Sequence, residues 1–236
     1  MERVVVTGLG LVTAFGTDVD ASWRALVAGE GAVTAPQRHG PDQPATGAVG
    51  EVAPESIAAL RARHPELPAD ADMRTLFGHA AACAAYHDAG LTEPDEEAGI
   101  VLGSGPGVHR LEDVAAAMTA EGDVPMGSYL REPAHPGSLV RVPPTAPAES
   151  AAAQLGLGGP VHAVTTACSA SNHALGMGLR LVRAGECPYV IAGGSDSMID
   201  PLGLVFFVLP GASANVDGDP ADACKPFDRR RSGLVM

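Results

Sequence analysis

Val161-His162-Ala163-Val164-Thr165-Thr166-Ala167-Cys168-Ser169-Ala170-Ser171 opens the stretch of sequence that decides the fold. The apolar and β-branched residues over 161–167 read as a strand. Ser169 to Ala184 then reads as a helix, stopped by Gly185. Tyr189-Val190-Ile191-Ala192 reads as a second strand, stopped by Gly193-Gly194. Strand, crossover helix and strand make a βαβ unit, which favours a parallel sheet covered by helices.

Upstream, Gly99-Ile100-Val101-Leu102-Gly103 reads as another short buried strand, running into the turn Ser104-Gly105-Pro106-Gly107. Residues 3–6 form a β-branched run ending at Gly8 and Gly10, and read as a buried strand too. Helices are expected at Ser22 to Ala28, with Trp23, Leu26 and Val27 on one side, at Ile57 to Arg63, and at Met73 to Gly90. In the last, Leu76, Phe77, Ala80, Cys83, Ala84 and His87 recur at helical spacing. Residues 34–56 read as loop with at most a short strand. Residues 108–120 read as helical, whereas six prolines break up 122–147. Glu149 to Leu155 is a short Ala-rich helix ending at Gly156.

The 236 residues are enough for a core that needs no disulfide or metal staple. Apolar residues make up 46% and aromatic ones only 4%, so that core is built from Ala, Val, Leu and Gly. With 18% charged residues and a mean hydropathy of +0.12, a disordered chain is excluded. The net charge of −13 excludes a general attraction for nucleic acid or for an anionic membrane. No apolar run has the length of a membrane span, and the start lacks the pattern of a signal peptide. Cys83, Cys168, Cys187 and Cys224 form no CxxC pair, which fits reduced thiols in the cytoplasm.

Cys168 stands between a strand and a helix N-terminus. Free N–H groups and the positive end of the helix dipole favour thiolate there, so its pKa is expected below the free value of about 8.5. Ala167, Ser169 and Ala170 are small enough to let a carbonyl approach, and the Cys168 N–H is a candidate oxyanion donor. The other three cysteines have no motif context and read as structural.

Thr165-Thr166-Ala167-Cys168-Ser169-Ala170-Ser171, followed by His173, Gly185 and Ala192-Gly193-Gly194-Ser195-Asp196, resembles the active-site region of β-ketoacyl synthases. These are the condensing enzymes of fatty acid and polyketide synthesis. Val5-Val6-Thr7-Gly8-Leu9-Gly10-Leu11-Val12-Thr13 with Gly16 and Trp23, then Leu102-Gly103-Ser104-Gly105, then Lys225-Pro226-Phe227-Asp228 with Arg231 and Gly233, continue the likeness in order. It implies a thiolase-like layered α-β-α-β-α fold, of which residues 1–236 supply mainly the N-terminal half, incomplete at the C-terminus. It also implies that Cys168 takes an acyl group from a phosphopantetheine thioester on acyl carrier protein, and that a decarboxylated malonyl unit then attacks it. The phosphopantetheine belongs to the carrier; the protein itself is expected to bind no cofactor. The family's two histidines and second oxyanion donor come from the other half, for which the sequence shows no motif. His173 does not replace them, because five residues turn a helix by about 500°, roughly 140° off the cysteine's face.

Arg229-Arg230-Arg231 is the basic cluster of an acidic chain, and a candidate contact for the acidic carrier protein or its phosphate. Arg61, Arg63 and Arg74 are candidates to extend it. The resemblance also implies a dimer, homo or hetero, with Val161 to Thr166 pairing across the two-fold axis. Two other roles stay open: a non-catalytic half-subunit that shapes an acyl tunnel, and an enzyme of coenzyme A esters. His79, Cys83 and His87, spaced by four, read as a packing face rather than a metal site. Gly103-Ser104-Gly105-Pro106-Gly107 lacks the glycine spacing of a dinucleotide loop, and Gly193-Gly194-Ser195-Asp196 is not a serine-hydrolase elbow.

Overall fold

The computed structural model describes residues 3–37, 47–105, 118–119, 121–123 and 143–236. The helix expected over 108–120 and most of the proline-rich 122–147 lie outside the described residues. The elements are α1 (Val19–Val27), α2 (Pro54–Arg63), α3 (Met73–Asp88), β1 (Gly99–Ser104), α4 (Ala146–Leu155), β2 (Val161–Val164), α5 (Ala170–Ala184), β3 (Val190–Ser195) and α6 (Pro201–Val208). Two single 3₁₀ turns, Ala167–Ser169 and Pro220–Asp222, complete them.

The three strands form a parallel sheet in the order β2-β1-β3. Ile100 pairs with Val161 on one side and with Ile191 on the other. β1 is therefore central, and it is buried along its whole length, as a parallel strand covered on both faces should be. Side chains alternate across the sheet. Ile100 and Leu102 pack with Ala82, Cys83 and Tyr86 of α3 and Ala148, Ala151 and Ala152 of α4. On the opposite face, α5 lays Ala170, Ala174 and Gly178, one helical turn apart, against the strands. The described residues thus build an α-β-α half of the thiolase-like arrangement.

Small side chains set how close α5 comes. A Cβ on Gly103 would lie 2.5 Å from the Ser171 backbone nitrogen, and one on Gly178 would lie 3.0 Å from the Ala192 Cβ. On the other face, a Cβ on Gly78 of α3 would lie 2.8 Å from the Ser195 side chain. The outer face of α5 carries Leu175 and Leu179, both exposed.

Two expectations are corrected, and one helix lies where pattern reading assigns no element. Residues 3–6 join no strand ladder among the described residues, and Val5 and Val6 are 62% and 78% exposed. The segment runs along α3 instead: the Leu9 amide donates to Asp88 at 2.8 Å, and Gly8 and Gly10 lie against the Ala81–Ala89 backbone. Next, β2 ends at Val164, because its partner β1 has only Ser104 left beyond the Gly103–Val164 pair, and the chain turns away at Thr166. Last, α6 has no helical periodicity in its wholly apolar Pro201–Val208, so it reads as no helix from pattern. Asp200 caps it all the same, accepting from the Leu202 and Gly203 amides at 3.1 and 2.9 Å, with Pro201 in the first turn. On α3, Ala84 and His87 face solvent, because steps of four drift about 40° each around a helix.

Gly103→Ala is expected to destabilise the chain by about 1–3 kcal/mol, since the added methyl meets helix backbone that cannot yield. Gly176→Ala, in the same helix but with open space around it, should stabilise by about 0.5–1 kcal/mol. Denaturant midpoints of the two variants test the packing account, and a neutral Gly103→Ala contradicts it.

Candidate active site

The elbow between β2 and α5 is built from a strained residue. Ala167 has φ +50°, in the left-handed region that alanine seldom occupies. Backbone strain of this kind persists only where the surroundings enforce it. Here the hold is local on one side and tertiary on the other. Ser169 donates through its hydroxyl to the Thr166 carbonyl at 2.8 Å, and its amide reaches the same oxygen at 3.2 Å. Ala170, the next residue, is clamped against Gly103. The turn turns Cys168 outward, where it is exposed, one residue from the first turn of α5.

Cys168 opens onto a cleft of about 640 Å³. The β1 turn (Gly103, Ser104, Gly105) and the end of β3 (Gly194 to Asp196) form its floor, while Met198, Ile199, Phe206 and Phe207 supply an apolar wall. The floor is tied from beneath. Arg74 is buried and donates to the Gly105 carbonyl at 2.8 Å and to Pro143 at 3.3 Å. The Ser195 hydroxyl donates to the Arg74 carbonyl at 2.7 Å. Asp196 accepts from the Ser197 amide at 2.8 Å. Burial pushes the Asp196 carboxyl above its ordinary range, with hydrogen bonds from Ser197 and the charge of Arg74 opposing. The arrangement offers a thiol on the lining of a mostly apolar cleft of a size that suits a small-molecule ligand.

The sequence-derived residues divide. His173 is held by Thr166 (Oγ1 to Nδ1, 2.7 Å) and so steadies the elbow, as its angle from the cysteine requires. Arg74 belongs under the site and not to a docking surface, because its guanidinium is spent on backbone carbonyls. Arg61 is likewise used, donating to Ala69 and Ala71 at 2.9 Å each. In the basic triplet, Arg230 makes a two-point contact with Asp228 (2.9 and 3.2 Å), and Arg231 donates to the Asp228 carbonyl at 3.0 Å. Arg229 is exposed on the same turn. Cys83 and Cys187 are buried, whereas Cys224, expected to be structural, is exposed. Sequence reasoning missed the α6 wall and the roles of Arg74 and Asp196. The Asp200-Pro201 pair was the available signal for α6; a buried arginine has none.

Fold and elbow together define a thiolase-like α/β half with a cysteine at its βα turn. The family model described as Beta-ketoacyl synthase, N-terminal domain, matches residues 1–236, and the chain belongs to that family. It is 28% identical over 238 residues to 3-oxoacyl-(acyl-carrier-protein) synthase 2 of Vibrio cholerae, covering 99% of this chain and 55% of that protein. Among solved structures it resembles the ishigamide ketosynthase/chain length factor, with TM-score 0.77, 26% identity, and coverage of 99% of this chain and 55% of that one. It also resembles a type II PKS acyl-carrier protein in complex with its ketosynthase, at TM-score 0.74 and 24% identity, with the same coverage; that likeness shows the fold alone. The chain spans about half the length of the curated relatives it matches.

The Asp228 carboxyl is held down to about 2 by its contacts with Arg230. A lowered carboxyl stabilises the turn above its ordinary pKa of 3.8, and that contribution is lost as pH falls through about 2. Arg230→Gln is expected to return the midpoint towards 3.8, read from the Asp228 carboxyl resonance in an NMR titration. An unchanged midpoint contradicts the assigned cause.

Proposed function

We propose that this chain is the acyl-accepting half of a condensing enzyme, with Cys168 as nucleophile. The observation that carries the reading is the strained turn at Ala167, which presents an exposed thiol to the acyl-sized cleft. The Cys168 thiolate attacks the carbonyl of an acyl-phosphopantetheine thioester. The carbonyl carbon bonds to Sγ, the phosphopantetheine thiolate leaves and takes up a proton, and the acyl chain lies along Met198, Phe206 and Phe207. A malonyl unit on acyl carrier protein then loses carbon dioxide, and its carbanion attacks the acyl-cysteine to release a β-ketoacyl thioester. The groups that assist decarboxylation come from a second half of the fold, set against the exposed Leu175–Leu179 face of α5.

The remaining assignments follow from the same frame. The partner is acyl carrier protein, and the phosphopantetheine is its own. Arg229 is the basic group at 225–231 best placed to meet the carrier, since Arg230 and Arg231 are engaged with Asp228. Among the described residues β2 is an edge strand, which supports pairing with a second ketosynthase-fold chain, identical or not, across that edge.

Cys168→Ala is expected to abolish transfer of an acyl group from acyl carrier protein to the chain, while Cys224→Ala retains it. Equal transfer to Cys168→Ala overturns the nucleophile assignment and leaves a tunnel-shaping, non-catalytic role. Arg229→Glu is expected to weaken carrier binding several-fold at low salt and little at high salt. Unchanged binding at low salt removes Arg229 from the interface.

A further inference from the structure

A second cluster of chemically active side chains lies between α3, the end of α2 and the loop that joins them. His79, fully buried on α3, points Nε2 at Glu66 Oε1, 2.7 Å away. His64, the residue that ends α2, directs Nδ1 at the same oxygen from 3.0 Å. The two rings meet edge to face with centroids 4.8 Å apart. Cys83 stands one helical turn beyond His79 on the same side of α3. One ligating atom each from His64, His79 and Cys83 all fall within 4.8 Å of one another. The third member is thus His64, from another element, and not His87, which faces solvent.

Both ring nitrogens of His79 have polar neighbours. Ser150 donates its hydroxyl to the Pro147 carbonyl at 3.2 Å, and its oxygen also lies 3.2 Å from His79 Nδ1. His79 Nε2 and His64 Nδ1 both face Glu66 Oε1. A divalent ion held between these nitrogens and the carboxylate takes the place of a ring proton and keeps the imidazoles neutral, the form that ligates.

We propose that His64, Glu66, His79 and Cys83 form a structural zinc-type site. Two imidazoles, a thiolate and a carboxylate are a borderline-soft donor set that suits zinc and not magnesium or calcium. The charges close: a divalent ion is neutralised by one thiolate and one carboxylate, which is what a buried site requires. On binding, the Cys83 sulfur–hydrogen bond is exchanged for a sulfur–metal bond and the proton goes to solvent. Ser150 becomes the outer partner that fixes the His79 tautomer. A tetrahedral zinc site sets donor atoms roughly 3.3–3.6 Å apart. Closure therefore draws the farthest of the His64, His79 and Cys83 donors together by about an ångström and parts Glu66 Oε1 from the two rings by a few tenths, with His64 at the C-terminal end of α2. The ion would fasten the 64–72 loop to α3, the helix whose Arg74 and Gly78 support the cleft floor.

The test is titration of the full chain, free of any histidine tag and with its thiols reduced, with cobalt and then with zinc. The expected result is one metal ion per chain, a thiolate-to-cobalt charge-transfer band, displacement by zinc, and a higher Tm with zinc. Cys83→Ser should lose the charge-transfer band, whereas Cys168→Ala and Cys224→Ala should keep it. His64→Gln, at a partly exposed helix end where folding is not in question, should bind roughly tenfold more weakly or worse and lose the Tm rise. Absence of stoichiometric binding, a band that survives Cys83→Ser, or a zinc-dependent Tm rise undiminished in His64→Gln overturns the proposal.

Discussion

The approach of α5 to the sheet is the constraint on which the rest of the structure depends. Gly103 lets the helix backbone touch β1, Gly178 admits the Val190 and Ala192 side chains of β3, and Ala170 and Ala174 fill the remaining space. Larger residues would lift the helix, and with it the tertiary restraint that helps keep Ala167 at φ +50°. The elbow is therefore a product of packing as well as of the Ser169–Thr166 bonds within its own turn. A thiol on a relaxed loop would sample many directions. Here it is fixed over a cleft whose floor is the sheet itself, so orientation is settled before a substrate arrives.

A second layer of support runs under the floor. Arg74 bonds backbone carbonyls of the β1 turn and of the residues before α4, and Ser195 returns a bond to Arg74's own carbonyl. A buried guanidinium is expensive unless its donors are met, so this contact locks α3, β1 and β3 in one relative position. The same helix carries the His79–Cys83 pair on a neighbouring turn. Cleft floor and candidate metal site are thus two attachments of one helix.

The βαβ unit and its cysteine were legible because each signal is local. The short strand run 161–164, Gly185 at φ +73° and the twin glycines near the end of β3 are consequences of backbone chemistry that spacing reveals. What was not legible depends on distant partners. Residues 3–6 have every strand propensity, yet a strand needs a neighbour, and the described residues offer only the α3 surface. α6 hides its period because all of its side chains are apolar. Arg74 looked like surface charge, and only the fold reveals the carbonyls that consume it. His64 lies 15 residues before His79 with no periodic relation to it, so spacing pointed to His87 instead.

The most direct test of the central claim is to map, by tandem mass spectrometry, where the unmodified chain is acylated after incubation with an acyl-phosphopantetheine thioester. Cys168 and Cys224 are both exposed, so accessibility alone would label both. Elbow geometry predicts an acyl group on Cys168 and none on Cys224. Equal labelling of the two, or labelling of Cys224 alone, would contradict it.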